Sequence, residues 1–134
     1  MRVVIDTNLW VSRLLLAGSA PAQAVDKALA AFEVMMSEPL VEELADVLSR
    51  KKFDRYVSVR DRDEFLRRIL RIATIAPVLS EVDDCRDPDD NRLLALALDS
   101  ESGCILTGDR DLLLLNPWRG VRIVSPREFL NTVT

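Results

Sequence analysis

Acidic side chains stand at four places in this sequence where spacing suits chemistry better than solvation. They are Asp6 in VVIDTNLWVS, Glu43 in PLVEELADVLSR, Asp90 in DPDDNRLLALAL and Asp109 in TGDRDLL. The chain has no histidine. That removes the usual general base, every Ser-His-Asp or Cys-His arrangement and the commonest zinc ligand. Any catalysis must rest on carboxylates, hydroxyls, cations or a bound metal. Cys85 and Cys104 lack CxxC spacing, so neither a disulfide framework nor a zinc ribbon is expected.

Helical geometry separates inward acids from solvated ones. In the helix after Pro39, Leu40, Leu44, Val47 and Leu48 form one apolar stripe, with Glu42 and Asp46 nearly opposite it. Glu43 lies only about 40° beyond the Val47 edge, close enough to reach the rim of the core. In DPDDN, Asp87 is a good N-cap with Pro88 at the first helical position, and acids there gain roughly 0.3–1 kcal/mol each from the helix dipole. That accounts for Asp87 and Asp89. Asp90 instead aligns with Leu93, Leu94 and Ala97 on the face that must be buried, where a lone carboxylate is costly.

Taken singly, Asp6 and Asp109 read as helix caps. Together with Glu43 and Asp90 they become four carboxylates from separate segments that can meet. Each pair about 4 Å apart repels by roughly 4 kcal/mol at an effective dielectric of 20. These motifs offer no inward lysine or histidine, so a divalent cation, or carboxyl groups holding protons, is required. An all-oxygen set favours Mg²⁺ or Mn²⁺ over zinc, and Mg²⁺ pairs naturally with substrate phosphates, pointing to phosphodiester chemistry.

The elements that must position these acids follow from the hydrophobic pattern. RVVI reads as a buried strand, residues 9–16 as a helix ending near Gly18, and Pro21 opens a helix to about Ala31. EVMMS reads as a strand, Pro39 starts the helix carrying Glu43, and residues 60–71 form another helix followed by extended IATIAPV. DPDDNRLLALALDS is a helix, CILT a strand, Asp109 the start of a short helical turn, VRIV the last strand and PREFLNTV the closing helix. This alternation predicts an α/β fold, a three-layer α/β/α sandwich with a central, mainly parallel sheet. In such sheets ligands bind beyond the carboxyl ends of the strands. Asp6 follows one strand and Asp109 another, so both fall at that end.

With 134 residues, 49% apolar and 30% charged, the chain reads as one soluble domain over residues 1–134. The longest strictly apolar run, residues 93–98, is too short to cross a bilayer. Asp6 interrupts the N-terminal apolar segment after three residues, so no signal peptide is expected and a reduced cytoplasm is the default setting. The net charge of −4 hides an asymmetry. Residues 50–71 hold nine of the eighteen Lys and Arg against four acids. That segment is either a solvated helical face or a phosphate-contacting surface, with Arg50, Lys51, Lys52, Arg67, Arg68 and Arg71 as candidate RNA contacts.

The quoted blocks resemble the PIN-domain family, small metal-dependent ribonucleases that include the VapC-like toxins of prokaryotic toxin–antitoxin pairs. The likeness runs from VVIDTNLWVS through SEPLVEELADVLSRKKF, DPDDNRLLALAL and TGDRDLL to VRIVSPREFL. It implies that Asp6, Glu43, Asp90 and Asp109 are the metal-binding and catalytic acids, with Asn8 and Thr107 as accessory polar groups. Asp87 is then a possible supporting acid, and Asp111 could replace or assist Asp109. The resemblance further implies an RNA substrate, a cognate antitoxin protein and a homodimer.

Other readings remain open on sequence. Haloacid-dehalogenase-type phosphatases use Asp-x-Asp on the first strand, whereas the third position here is Asn8. A response-regulator receiver needs a lysine after a late strand, and VRIVSP has none. The chain could also be a non-catalytic domain that binds a partner, or a metal-dependent nuclease or phosphatase acting in RNA processing or on DNA.

Overall fold

The structure, a computed structural model, describes residues 1–132. Five strands, β1 (Arg2–Ile5), β2 (Glu33–Met36), β3 (Thr74–Ile75), β4 (Cys104–Leu106) and β5 (Arg122–Val124), form one sheet in the order β3-β2-β1-β4-β5. Every pairing is parallel, with Val3 opposite both Val34 and Cys104. Seven helices connect or flank them: α1 (Thr7–Leu15), α2 (Ala20–Ala31), α3 (Glu38–Leu48), α4 (Val59–Ile72), α5 (Pro88–Asp99), α6 (Arg110–Leu113) and α7 (Pro126–Asn131). The expected closing helix ends at Asn131, and Val133 lies outside the described residues.

Consecutive residues of β1 point to opposite faces, yet Val3, Val4 and Ile5 are all buried, so helices cover both faces. α1, α2 and α7 pack together, with α2 against β2, while α5 lies across β1, β2 and β4 beside α3. The result is the three-layer α/β architecture that the alternating pattern predicts. Each fully buried Ile, Leu or Val contributes about 1.5–3 kcal/mol of transfer free energy. β1 supplies three such residues in four positions. Among the described residues no helix is long and apolar enough to cross a membrane.

The boundaries depart from the sequence reading at informative places. α1 starts at Thr7 rather than Leu9, because Asp6 itself is the N-cap: its Oδ1 accepts a hydrogen bond from the Asn8 N–H at 3.2 Å. Pro39 is the second residue of α3, which Ser37 caps by accepting from the Leu40 N–H at 3.3 Å. The extended IATIAPV contributes a fifth strand at the β2 edge, too short to announce itself by alternation.

The basic segment also divides. Arg62, one of its nine cations, is 3% exposed and is neither solvated nor available to phosphate. Its Nη1 donates to the carbonyls of Leu48 (2.9 Å) and Arg50 (3.1 Å), and its Nη2 pairs with Asp54. Those two carbonyls end α3 and the turn after it, so Arg62 rivets α4 to the helix that carries Glu43. Arg62→Leu should lower unfolding free energy by about 2–4 kcal/mol, because it strands buried carbonyls. Arg67→Ala, on the exposed face of the same helix, should stay within about 0.5 kcal/mol. Urea denaturation of both variants checks the contrast, and equal effects would return Arg62 to the surface class.

Candidate active site

The order β3-β2-β1-β4-β5 reverses direction between β1 and β4, which makes their carboxyl ends the crevice of this sheet. The two chains leave it side by side. Asp6 N–H donates to the Leu106 carbonyl at 3.0 Å, and Thr107 N–H donates to the Val124 carbonyl at 3.0 Å. Fully buried Thr107 then joins the two acidic turns. Its Oγ1 donates to Asp6 Oδ2 at 2.7 Å and accepts from the Asp109 N–H at 3.0 Å. Asp109 Oδ1 caps α6, accepting from the N–H groups of Asp111 (2.8 Å) and Leu112 (3.3 Å).

The first turn of α5 brings the next group. Asp87 is its N-cap, accepting from the Asp89 N–H at 2.9 Å. Asp90 is only 6% exposed, on the same side of the helix as buried Leu93, Leu94 and Ala97. Cys85 donates its thiol to Asp90 Oδ2 at 3.6 Å. Glu43 is half-buried on α3 between exposed Glu42 and buried Leu44, as the wheel arithmetic predicts.

Asp6, Glu43, Asp87, Asp89, Asp90 and Asp109 line one polar cleft of about 200 Å³, together with Asn8, Thr7, Arg50 and the apolar Val47 and Leu93. Their electrostatics show the cost of that arrangement. Burial pushes Asp6 up, opposed by its hydrogen bonds to Thr107 and Asn8 and reinforced by Asp109 and Asp87. Glu43 is raised by burial, then by Asp89 and Asp6, with Arg92 pulling the other way. Asp90 rises to about 7, first through burial and then through the charges of Asp109, Asp87 and Asp6.

Among the described residues, no three acidic or thiol side chains are set around one point so as to hold a cation as they stand. In donor chemistry the cleft still suits a hard divalent ion: oxygen ligands from separate elements, and carboxylates whose charges the protein leaves largely uncompensated. Asp6, Glu43, Asp90 and Asp109 are the residues that would hold it.

The remaining sequence-derived candidates are distributed unevenly. Asn8 lines the cleft, and Thr107 stands behind it, holding Asp6. Asp111 is not among the lining residues, and its carboxylate pairs with Arg86 at 3.2 Å. Of the basic candidates only Arg50 lines the cleft. Lys51 and Lys52 are exposed in the 3₁₀ turn after α3, with Lys52 over the Phe53 ring. Arg67, Arg68 and Arg71 surround Glu64 on α4 at 3.4–3.7 Å. Sequence reasoning placed Asp89 with the solvated caps, yet it lines the cleft and raises Glu43. It also missed Asn91, which bonds the Cys85 backbone, because nothing in the pattern distinguishes it from a solvated helix residue.

The raised acids fix a direction for pH dependence. An unfolded aspartate titrates near 3.9 and Asp90 in the fold near 7, so the folded state binds the extra proton between those values. This group's contribution to stability is present at low pH and is lost as pH rises through about 7. In chelator, Asp90→Asn should therefore gain stability over wild type as pH increases from 4.5 to 8, by about 3 kcal/mol across that range. Urea melts across that range measure it, and a gap that narrows with rising pH would contradict the assignment.

Comparison with known proteins agrees with this architecture. Residues 2–111 match the PIN domain family, and the VRIVSPREFL ending lies outside the matched stretch. An uncharacterized protein of Methanocaldococcus jannaschii, MJ1680, is 25% identical, the alignment covering 97% of this chain and 90% of that protein. Among solved structures, VapBC2 from Rickettsia felis, bound to a DNA fragment from its promoter, has a similar fold. Its TM-score is 0.63 at 9% identity, covering 93% of this chain and 98% of that one. PAE2754 from Pyrobaculum aerophilum gives a TM-score of 0.58 at 14% identity, covering 98% and 96%. With four-fifths of its length matched, and with acids of four matched segments lining one cleft, this chain belongs to the PIN domain family.

Proposed function

We propose that the protein is a metal-dependent endoribonuclease acting as the toxin of a toxin–antitoxin pair, with Mg²⁺ or Mn²⁺ as its cofactor. The observation that carries this reading is the shared cleft of Asp6, Glu43, Asp90 and Asp109 at the carboxyl edge of a parallel sheet, where burial and mutual repulsion hold three of them above the ordinary carboxylate range. Such an arrangement costs stability unless a cation is bound to it. The chemistry a divalent ion supplies there is activation of water and neutralisation of charge on the phosphate.

The chain's own residues divide the remaining work. Thr107 fixes the Asp6 carboxylate by occupying Oδ2, and the Asn8 N–H does the same at Oδ1. Asp109 is oriented by the two N–H groups it caps. Glu43, on its longer arm from α3, would add a further oxygen ligand for the ion. Arg50, at the same cleft, can pair with a backbone phosphate.

The likeness to VapBC2 of Rickettsia felis supports a protein antitoxin as partner, and the family resemblance supports a homodimer in the cytoplasm. The fact that favours a non-catalytic, partner-binding reading is that no three of the described acids are preset around one point. One experiment separates the two. Wild type should cleave pooled RNA only with Mg²⁺ or Mn²⁺, while Asp6→Asn and Asp90→Asn should lose activity at least about 100-fold and keep their circular dichroism. Equal cleavage by wild type and variants would refute the nuclease reading.

Arg50→Ala should weaken binding to single-stranded RNA and reduce the salt slope by about 0.7, the loss of one phosphate contact. Reversing charge at Arg67, Arg68 and Arg71 should flatten it further if RNA extends along α4 past Lys51 and Lys52. An unchanged slope in the triple variant would confine the interface to the cleft.

A further inference from the structure

We propose that Asn91 is a positioning residue that, through Cys85, sets which carboxylate oxygen of Asp90 is left for a ligand. Asn91 Oδ1 accepts from the Cys85 N–H at 2.8 Å, and Asn91 Nδ2 donates to the Cys85 carbonyl at 2.8 Å. A side-chain amide offers one acceptor and one donor, which matches the N–H and C=O of a single residue. Aspartate would present two acceptors to that carbonyl, and leucine neither group. The clamp closes the loop of residues 85–91 over the first turn of α5, where the Asp87 carbonyl already accepts from the N–H groups of Asp90 (3.1 Å) and Asn91 (3.2 Å).

Its consequence is felt at Asp90. With the Cys85 backbone fixed on Asn91, the Cys85 thiol donates to Asp90 Oδ2 at 3.6 Å. That bond takes one lone pair of Oδ2, which makes Oδ1 the freer oxygen for a cation in the cleft that Asp90 lines. Outer-shell partners of this kind orient a ligand without touching the ion. A merely structural Asn91 would close the loop and leave Asp90 indifferent to it.

This inference rests on the cleft being a cation site, and its test tells the two failures apart. Full-length wild type, Asn91→Leu, Cys85→Ala and Cys85→Ser are titrated with Mn²⁺ by calorimetry, and metal-free alkylation of Cys85 by iodoacetamide is timed in wild type and Asn91→Leu. Buried Cys104 stays silent on the alkylation timescale. Asn91→Leu should bind Mn²⁺ about 10-fold more weakly, in the range for lost outer-shell partners, with Cys85 alkylated several-fold faster. Cys85→Ala keeps the backbone clamp and should still bind more weakly, while Cys85→Ser, whose hydroxyl donates the same bond, should return to within about 2-fold of wild type. Should Asn91→Leu fail to fold, the Cys85 pair decides alone. Wild-type Mn²⁺ affinity in Asn91→Leu, or in Cys85→Ala, overturns the positioning role and leaves the metal site standing. No Mn²⁺ uptake by wild type overturns both.

Discussion

The hydrogen bond from Thr107 to Asp6 ties together the carboxyl ends of two central strands, where the apolar sheet gives way to a group of acids. Everything behind it is hydrocarbon: Val3, Val4, Ile5, Ile105 and Leu106 are at most 1% exposed. A carboxylate next to such a core is tolerated only when its oxygens have fixed partners, and Asp6 has a hydroxyl on one and a backbone N–H on the other. Because Thr107 also accepts from the Asp109 N–H, the bond that secures the first acid places the second. The cleft is thus a by-product of how β1 and β4 stop.

The other wall is held from further away. α5 lies across β1, β2 and β4 through buried Leu93, Leu94, Leu96 and Ala97, so the position of its first turn follows from packing of the whole helix. Asp90 is carried inward by that packing, on the same stripe as Leu93, Leu94 and Ala97. Glu43 depends on α3, whose C-terminal end is fastened by buried Arg62. Distances set by the core thus reach the acids through helices, which position side chains more rigidly than loops do.

What could be read from sequence is what local geometry alone decides. The 100° step of a helix separated Glu43 from Glu42 and Asp46, and Asp90 from its capping neighbours, because both helices are regular and anchored by unambiguous leucines. The parallel sheet followed from the alternation of elements. What could not be read depends on where loops travel. Arg62 looks like its eight cationic neighbours until its guanidinium is seen under the α3 terminus. Asn91 and Cys85 are six residues apart, a spacing without periodic meaning. Asp84, which accepts from the Trp118 Nε1–H at 2.7 Å, reaches across 34 positions. Asp6 reads as a cap or as a ligand on sequence, since nothing in VVIDTN says that one aspartate caps its own helix and also faces the cleft.

That double use recurs in a pattern that sets the cleft apart from the rest of the molecule. α2, α3, α4 and α7 are capped by Ser19, Ser37, Ser58 and Ser125, and none of these lines the cleft. α1, α5 and α6 are capped by Asp6, Asp87 and Asp109, and all three do. Serine and aspartate satisfy the free N–H groups of a first turn about equally well. Capping therefore does not explain why aspartate appears only where three helices begin around one space. The distinction is charge: each of these N-termini presents partial positive charge, which lowers the cost of gathering carboxylates there but falls short of a full unit per helix. Six acids line that space, and Asp90 is pushed up to about 7 first by burial and then by the charges of Asp109, Asp87 and Asp6. Aspartate at these three caps adds to Glu43, Asp89 and Asp90, and so concentrates negative charge around one cleft that serine caps would have left less acidic.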